Sequence, residues 1–568
     1  MSKRIVIVGG VAAGASAAAK ARRVSEDVEI VLLEAGPFIS FANCGLPYYV
    51  GGEIADRDKL FVVSAKQFAQ RFNVDVRTET TVTSVDPGRK LVMFQRANGS
   101  TDQLTYDRLL LATGARPTRP EAPGIERDNI FTCHTVPDVD GIIARLSQNH
   151  PKRALVMGGG YIGLETAEQL LRRDLAVTLI QRPHQLMRSM DPEMALPLQQ
   201  ALTKAGAEII LSDVVTEIVD EDGQSVAVTR CGRRIPFDLA VFGIGVRPNV
   251  DLAQQAGVEL GATGAIEVDA LQRTNDPSIY AAGDNSETNH LVLSRPVNIP
   301  LAGPANKAGR AAGANMALDL QDAPDDDPRR LSLKGVLGTA VVRVCEMSAA
   351  RTGLTETQAR AEGLACQIVH MPGPSHASYF PGAQMMVLKI VFAPDTGRLL
   401  GAQAVGGEGV DKRIDIIATA IVGGLTIDDL EQLDLCYAPP FGSAKDVVIL
   451  AGFAGANIRR GLMPAMTPGE LLDELASDHP PVVLDVRTDA EFAKGHLDGA
   501  LHIPVDDLRG RLAEVPADGP VAVHCAAGYR SYLAQRMLIN RGRGNIRNVT
   551  GGYTMIRRQQ TVSQPTQS

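Results

Sequence analysis

The sequence is poor in cysteine, with seven in 568 residues, at positions 44, 133, 231, 345, 366, 436 and 525. The number is odd, the spacing is irregular and no CxxC pair occurs, which excludes both a disulfide framework and a zinc site. No metal is expected. Such a chain suits a reducing compartment, where a lone thiol can do chemistry. An excess of positive charge is missing too. The net charge of −8 argues against a nucleic-acid binder that works by neutralising phosphates. Targeting and membrane signals are also lacking. The uncharged stretch 5–19 superficially resembles a signal core, but Gly9, Gly10 and Gly14 interrupt it and it is too short to span a bilayer. These absences point to a cytoplasmic protein with neither nucleic acid nor membrane as partner.

Core-building material is present in quantity. At 45% hydrophobic and 21% charged residues, the chain can build three or four domains of roughly 150 residues each. A disordered or collagen-like chain is excluded.

Two segments carry the marks of dinucleotide binding. In the first, KRIVIVGGVAAGASAAAKARR, the apolar run 5–8 reads as a buried parallel strand. Gly9, Gly10 and Gly14 follow, then an Ala-rich helix, and the next strand, VEIVLLE, ends in Glu34. Glycines let the backbone approach a pyrophosphate at a helix N-terminus, and the acid binds ribose hydroxyls. In the second, RALVMGGGYIGLE, residues Gly158, Gly160 and Gly163 give the full G-x-G-x-x-G. Glu165, just beyond on the helix, joins the cofactor-binding set. The following strand ends in Gln181 and Arg182 instead of a carboxylate. Arg182 either accommodates the 2′-phosphate of NADPH or is simply solvated, so both nicotinamides remain open. Two more strand ends belong with these turns: Ala112, Thr113 and Gly114 in LLLATGARP, and Gly283 and Asp284 in SIYAAGD.

The order of these pieces resembles the flavoproteins with two dinucleotide-binding domains, in which an FAD domain is interrupted by an NAD(P)H domain. The segment SFANCGLPYY, with Cys44 at a predicted helix start that would favour the thiolate, narrows this. It resembles the single-cysteine branch of the pyridine nucleotide-disulfide oxidoreductases: coenzyme A-disulfide reductases, persulfide reductases, NADH oxidases and NADH peroxidases. Relatives that reduce glutathione or lipoamide carry C-x-x-x-x-C, whereas Tyr49 stands five residues after Cys44 here. The resemblance therefore implies that Cys44 works alone, as thiolate, sulfenic acid or mixed disulfide.

The segment LDLCYAPPFGSAKD resembles the signature of the CoA-disulfide reductase side. The resemblance implies that Tyr379 and Tyr437 reach across a homodimer to the partner's cysteine; interface packing is the competing reading. It also implies a coenzyme A groove lined by Ser16, Lys20, Arg23, Ser40, Asn43 and Lys445, although Lys20 and Arg23 also suit a helix C-terminus without any ligand.

Beyond residue 466 the sequence is similar to the rhodanese fold in LDVR, GHLDGALHIP, the loop Cys525-Ala526-Ala527-Gly528-Tyr529-Arg530 and a late GGY. Backbone N–H groups in such a loop cradle an anion. With Arg530 they hold Cys525 as a thiolate able to carry a sulfane sulfur.

The expected architecture is α/β: two Rossmann-like dinucleotide-binding domains, an α+β dimer-interface domain and a C-terminal rhodanese α/β domain. The expected boundaries are 1–115 with 240–325 for FAD, 116–239 for NAD(P)H, 326–455 for dimerisation, 456–466 as linker, 467–560 as rhodanese and 561–568 as a disordered tail. The expected activity is NAD(P)H-driven, FAD-dependent reduction of CoA persulfide, polysulfide or CoA disulfide, coupled to sulfur transfer; small thiols, persulfides and disulfides would be its partners. An oxidase or peroxidase cycling Cys44 through sulfenic acid, and a non-catalytic redox sensor or sulfur-relay scaffold, are the alternatives.

Overall fold

The computed structural model describes residues 3–563. The chain divides into two compact units. One takes residues up to Ile180 together with Asp213–Gly338, and the other takes Gln181–Ser212 together with the chain from Thr339 onward.

The first unit contains a parallel sheet in the order Ile279–Ala281, Arg108–Leu111, Arg4–Val8, Glu29–Leu33, Asp75–Arg77. Its strands are apolar on both faces. Ile5, Ile7, Ile30 and Leu32 pack to one side, and Val6, Val8, Val31 and Leu33 to the other. That is why the sequence there shows continuous apolar runs instead of alternation. The helix Ala12–Val24 lies against the helix Ala302–Asp319. Their backbones nearly touch: a Cβ on Gly309 would fall 2.1 Å from the Ala13 carbonyl oxygen, and one on Gly313 2.2 Å from that of Ala17.

A second parallel sheet in this unit joins Ala176–Gln181, Arg153–Met157, Leu239–Phe242 and Ile130–Phe131. The strand Leu239–Phe242 thus belongs with the second glycine turn, so the expected boundary at 239/240 cuts through a strand and is corrected. Two antiparallel three-stranded sheets and two two-stranded ribbons complete the unit.

The second unit holds two sheets. The first is antiparallel, in the order Ala340–Val344, Met347–Gly353, Leu399–Gly406, Met385–Phe392, Gln367–Pro374. The helices Val410–Val422 and Val447–Arg459 bury its apolar side chains. The second is parallel, in the order Ala465–Met466, Ile546–Val549, Val521–His524, Val482–Asp485, Leu501–His502.

Two sequence expectations need correction here. The stretch 456–466, expected as a linker, continues the helix Val447–Arg459 and then enters the strand Ala465–Met466. Just before this stretch the helix packs closely: a Cβ on Gly455 would meet Ile427 at 2.2 Å. Residues 561–563, expected to be disordered, end the helix Gly552–Ser563. The rest of that tail lies outside the described residues. Among the described residues no helix is long and apolar enough to cross a membrane.

Candidate active sites

In the first unit, three strand ends converge. The strand Arg4–Val8 delivers the first glycine turn, in which Gly9 has φ +103° and a Cβ would lie 2.1 Å from the Ala112 carbonyl oxygen. A Cβ on Gly14 would collide with the Gly9 carbonyl at 1.7 Å, so the helix can start close to the strand only without one. Glu34 closes the turn: its carboxylate accepts from Gly10 N–H and from Gly36 N–H, each at 2.7 Å. Burial pushes that carboxyl up, against the pull of the two N–H groups. The neighbouring strands Arg108–Leu111 and Ile279–Ala281 bring Ala112, Thr113 and Gly114 and then Gly283 and Asp284 to the same end of the sheet. Burial raises the Asp284 carboxyl, and His134 opposes that shift. Asn285 ties the strand ends together, donating to the Leu111 carbonyl and to Thr113 Oγ1, each at 3.0 Å.

The second glycine turn repeats this construction. Gly158 has φ +110°, and a Cβ on Gly163 would lie 1.9 Å from the Gly158 carbonyl oxygen. Gly160 differs, because a Cβ there would meet no protein atom within 4 Å. The fold does not require glycine at 160, whereas a dinucleotide lying against the turn does. These cradles fit the flavin and nicotinamide dinucleotides expected from the sequence. Gln181 ends the strand Ala176–Gln181 and Arg182 follows directly, with no carboxylate at that strand end.

Cys44 lies in the short 3-10 turn Asn43–Gly45, two residues before the helix Leu46–Gly51. The expectation that a helix start lowers its thiol is corrected. Burial, then Glu165, then Asp284 push the Cys44 thiol up. The helix is only six residues long. Glu165 comes from the helix after the second glycine turn and also accepts from the Tyr48 hydroxyl at 3.0 Å. Asp284 comes from the strand end beside the first glycine turn. The thiol therefore feels both cradles at once.

The other residues expected to line a groove fall into two sets. Ser40 has φ +48° and its N–H donates to the Gly10 carbonyl at 3.0 Å; the Asn43 amide donates to the His134 carbonyl at 3.3 Å. Ser16 Oγ donates to Asn306 Oδ1 at 2.6 Å. Burial lowers the Lys20 ammonium, and Arg310 and Arg23 lower it further. Like charges gathered in this way suit an anion. Arg310 was not legible in the sequence because it arrives from a helix nearly three hundred residues away.

In the second unit, the hydroxyls of Tyr379 and Tyr437 lie 3.0 Å apart on exposed rings. Buried Arg413 pins the loops that carry them. It donates to the Ser375 carbonyl at 2.7 Å and to Asp446 Oδ2 at 2.6 Å. Lys445, next to Asp446, is exposed.

Cys525 directly follows the strand Val521–His524. Its Sγ accepts from Gly528 N–H at 3.1 Å and from Ser531 Oγ at 3.5 Å. Gly528, at φ +113°, turns the chain into the helix Tyr529–Ile539. Arg530 does not face the sulfur alone. It forks onto Glu491 at 2.6 and 2.8 Å, and that hydrogen bonding takes the Glu491 carboxyl down to about 2. Glu491, too, was missed in the sequence. Asp485 and Arg487 form a buried bidentate pair, and the guanidinium stacks on Tyr553 at 3.9 Å.

Residues 3–309 match the pyridine nucleotide-disulphide oxidoreductase pattern, 339–447 its dimerisation domain and 467–559 the rhodanese-like domain. The chain belongs to the pyridine nucleotide-disulphide oxidoreductase family. A relative in Pyrococcus abyssi, named NAD(P)H sulfur oxidoreductase (CoA-dependent), is 35% identical over 453 residues, covering 79% of this chain and 98% of that protein. The crystal structure of reduced Bacillus anthracis CoADR-RHD matches with TM-score 0.94 and 39% identity over 99% of both chains. The NAD-dependent persulfide reductase from A. fulgidus matches with TM-score 0.88 and 39% identity, over 97% of this chain and 99% of that one.

Within this oxidoreductase, all seven cysteines are free. Cys133 is buried and its thiol is pushed well up, chiefly by burial. Burial also raises the half-buried Cys366. Cys231 and Cys436 are exposed and Cys345 is half-buried. None of these five lies in a glycine turn beside a helix start as Cys525 does. Arg22, which shares the basic end of the first helix, is structural. It donates to the carbonyls of Phe72, Asn73, Ser25 and Glu26 at 2.6–3.1 Å.

Proposed function

We propose that this chain is a homodimeric, FAD-dependent NAD(P)H reductase of coenzyme A disulfide or persulfide that uses Cys44, joined to a sulfur-transfer site at Cys525, in the reducing interior of the cell. The observation that carries the reading is that one thiol, Cys44, feels Glu165 from the nicotinamide cradle and Asp284 from the flavin cradle.

Gly9, Gly10, Gly14, Glu34, Ala112, Thr113, Gly114, Gly283 and Asp284 would hold FAD, and Gly158, Gly160, Gly163, Glu165, Gln181 and Arg182 would hold NAD(P)H. Bound together, the two cofactors supply an electron pair from NAD(P)H at the cysteine. Cys44 thiolate attacks one sulfur of CoA disulfide, forming a mixed disulfide and releasing one CoA thiolate. With CoA persulfide the same attack on the CoA-bound sulfur releases hydrosulfide. Two electrons and a proton then restore Cys44 thiolate and release CoA thiol. Lys20, Arg23 and Lys445 would take the phosphates of CoA, and Ser16, Ser40 and Asn43 would line its path. Tyr379 and Tyr437 would supply hydroxyls to the partner's leaving thiolate. Cys525 accepts a sulfane sulfur from a persulfide, leaving a thiolate behind, and Gly528 N–H and Arg530 stabilise the resulting persulfide anion.

The deciding experiment is steady-state NADH and NADPH oxidation with CoA disulfide, CoA persulfide, polysulfide and oxygen, side by side. Turnover should depend on the CoA substrates. Equal oxygen consumption without any thiol substrate would overturn the proposal in favour of an oxidase.

A further inference from the structure

The second unit contains a buried polar cluster that none of this chemistry uses. Lys389, 1% exposed, stands on the strand Met385–Phe392 with its Nζ 2.8 Å from Asp191, 2.6 Å from Glu193 and 2.8 Å from Glu356. Directly across the ladder on Gln367–Pro374 is His370, 3% exposed. Its Nε2 lies 3.5 Å from Glu193 Oε1, and its Nδ1 lies 3.0 Å from Thr550 Oγ1.

Thr550 opens a short segment that leads straight to the sulfur-transfer loop. Gly551, at φ +73°, passes so close that a Cβ would fall 2.8 Å from the His370 Cβ, and a Cβ on Gly552 would lie 2.4 Å from the Cys525 carbonyl oxygen. Tyr553 N–H donates to that carbonyl at 2.7 Å, and Thr554 Oγ1 donates to the Ala526 carbonyl at 2.9 Å. The backbone of 550–554 is thus held between His370 on one side and the Cys525 loop on the other. The ion cluster fixes the strand that carries His370, because moving Lys389 would strip the buried carboxylates Asp191 and Glu193 of the cation they share.

We propose that His370 is a positioning residue for sulfur transfer, acting through Thr550 to hold the Cys525 loop in the geometry that aims Gly528 N–H at the sulfur. The dimerisation domain thereby serves the sulfur-transfer site as well as the reductase. The inference rests on the reading of Cys525 as the sulfur carrier.

The test uses the full-length holoprotein and compares Thr550→Val, which keeps shape but removes the hydroxyl, with Thr550→Ser, which restores it. Thiosulfate is the sulfur donor, and peptide-resolved alkylation of Cys525 by iodoacetamide is followed against pH. Thr550→Val should lower kcat for sulfur transfer about tenfold, since small misplacements of reacting groups are costly. Its KM should stay close to wild type, the midpoint of Cys525 alkylation should rise, and NADH-driven CoA disulfide reduction should be unchanged. Thr550→Ser should behave as wild type. A Thr550→Val protein with wild-type kcat and alkylation profile overturns the proposal, as does a Thr550→Ser protein equally impaired. Wild-type sulfur transfer surviving Cys525→Ser would instead defeat the carrier reading itself.

Discussion

Tyr379 and Tyr437 meet hydroxyl to hydroxyl at 3.0 Å while their rings stay 75% and 48% exposed. A pair of polar tips held together on an open aromatic surface is poorly explained by folding alone. The bond to Tyr437 also raises the Tyr379 hydroxyl. Removing both hydroxyls, as Tyr379→Phe with Tyr437→Phe, should slow disulfide reduction by roughly 100-fold, the scale of general acid catalysis. Flavin content and melting temperature should hold. Unchanged kcat would reduce both rings to packing.

Replacing Cys44 with Ser should abolish NAD(P)H-driven reduction of CoA disulfide and persulfide while FAD stays bound, because the glycine cradle is untouched. The check is anaerobic turnover alongside the flavin absorbance of the purified variant. Residual reduction at the wild-type rate would remove Cys44 from the chemistry.

Cys525→Ser should have the opposite signature. Sulfur transfer from thiosulfate should disappear and CoA disulfide reduction should persist, since the two thiols sit in separate units. Loss of both activities in a folded protein would show that the sites are not separable.

Gly160→Ala adds a methyl that meets no protein atom, so the fold should tolerate it. A bound dinucleotide would not, and the KM for NAD(P)H should rise about tenfold, the equivalent of ~1.4 kcal/mol. Equal melting temperatures with an unchanged KM would place the dinucleotide away from this turn.

The Lys389 cluster predicts an acid limit to stability. Burial opposes charge on Glu193, but Lys389 outweighs it and holds the carboxyl down at about 2. Asp191 is likewise held below the usual carboxylate range against burial, mainly by Lys389. Depressed carboxyls stabilise the native state fully above their unfolded values and lose that contribution as pH falls through the folded ones. Denaturation midpoints should therefore drop from about pH 4.5 toward pH 2. Lys389→Met should remove ~3–5 kcal/mol at neutral pH, because it strands buried carboxylates; a denaturant midpoint within error of wild type would contradict this.

The sequence made the local devices readable. Strand, glycine turn and helix follow one another without a gap at Gly9–Gly14 and at Gly158–Gly163, and the Cys525 loop is a continuous run of six residues. What stayed hidden was assembled from distant segments. Glu491 neutralises Arg530 from 39 residues away, and Arg310 joins Lys20 only because two helices pack. Lys389 is the clearest case. It sits mid-strand in MMVLKIVF and is buried, and only the tertiary fold brings its three carboxylates. Cys44 shows the converse limit. Its position was plain, but its electrostatics depend on Glu165 and Asp284, which arrive from later in the chain.

The near contact of the helices Ala12–Val24 and Ala302–Asp319 fixes the backbones that carry the basic cluster. Lys20 and Arg23 ride on one helix and Arg310 on the other, so their anchor points are spaced by backbone meeting backbone at Gly309 and Gly313. The long side chains adjust where the charges sit, but their roots cannot drift apart, and the ruler between those roots is two absent methyl groups.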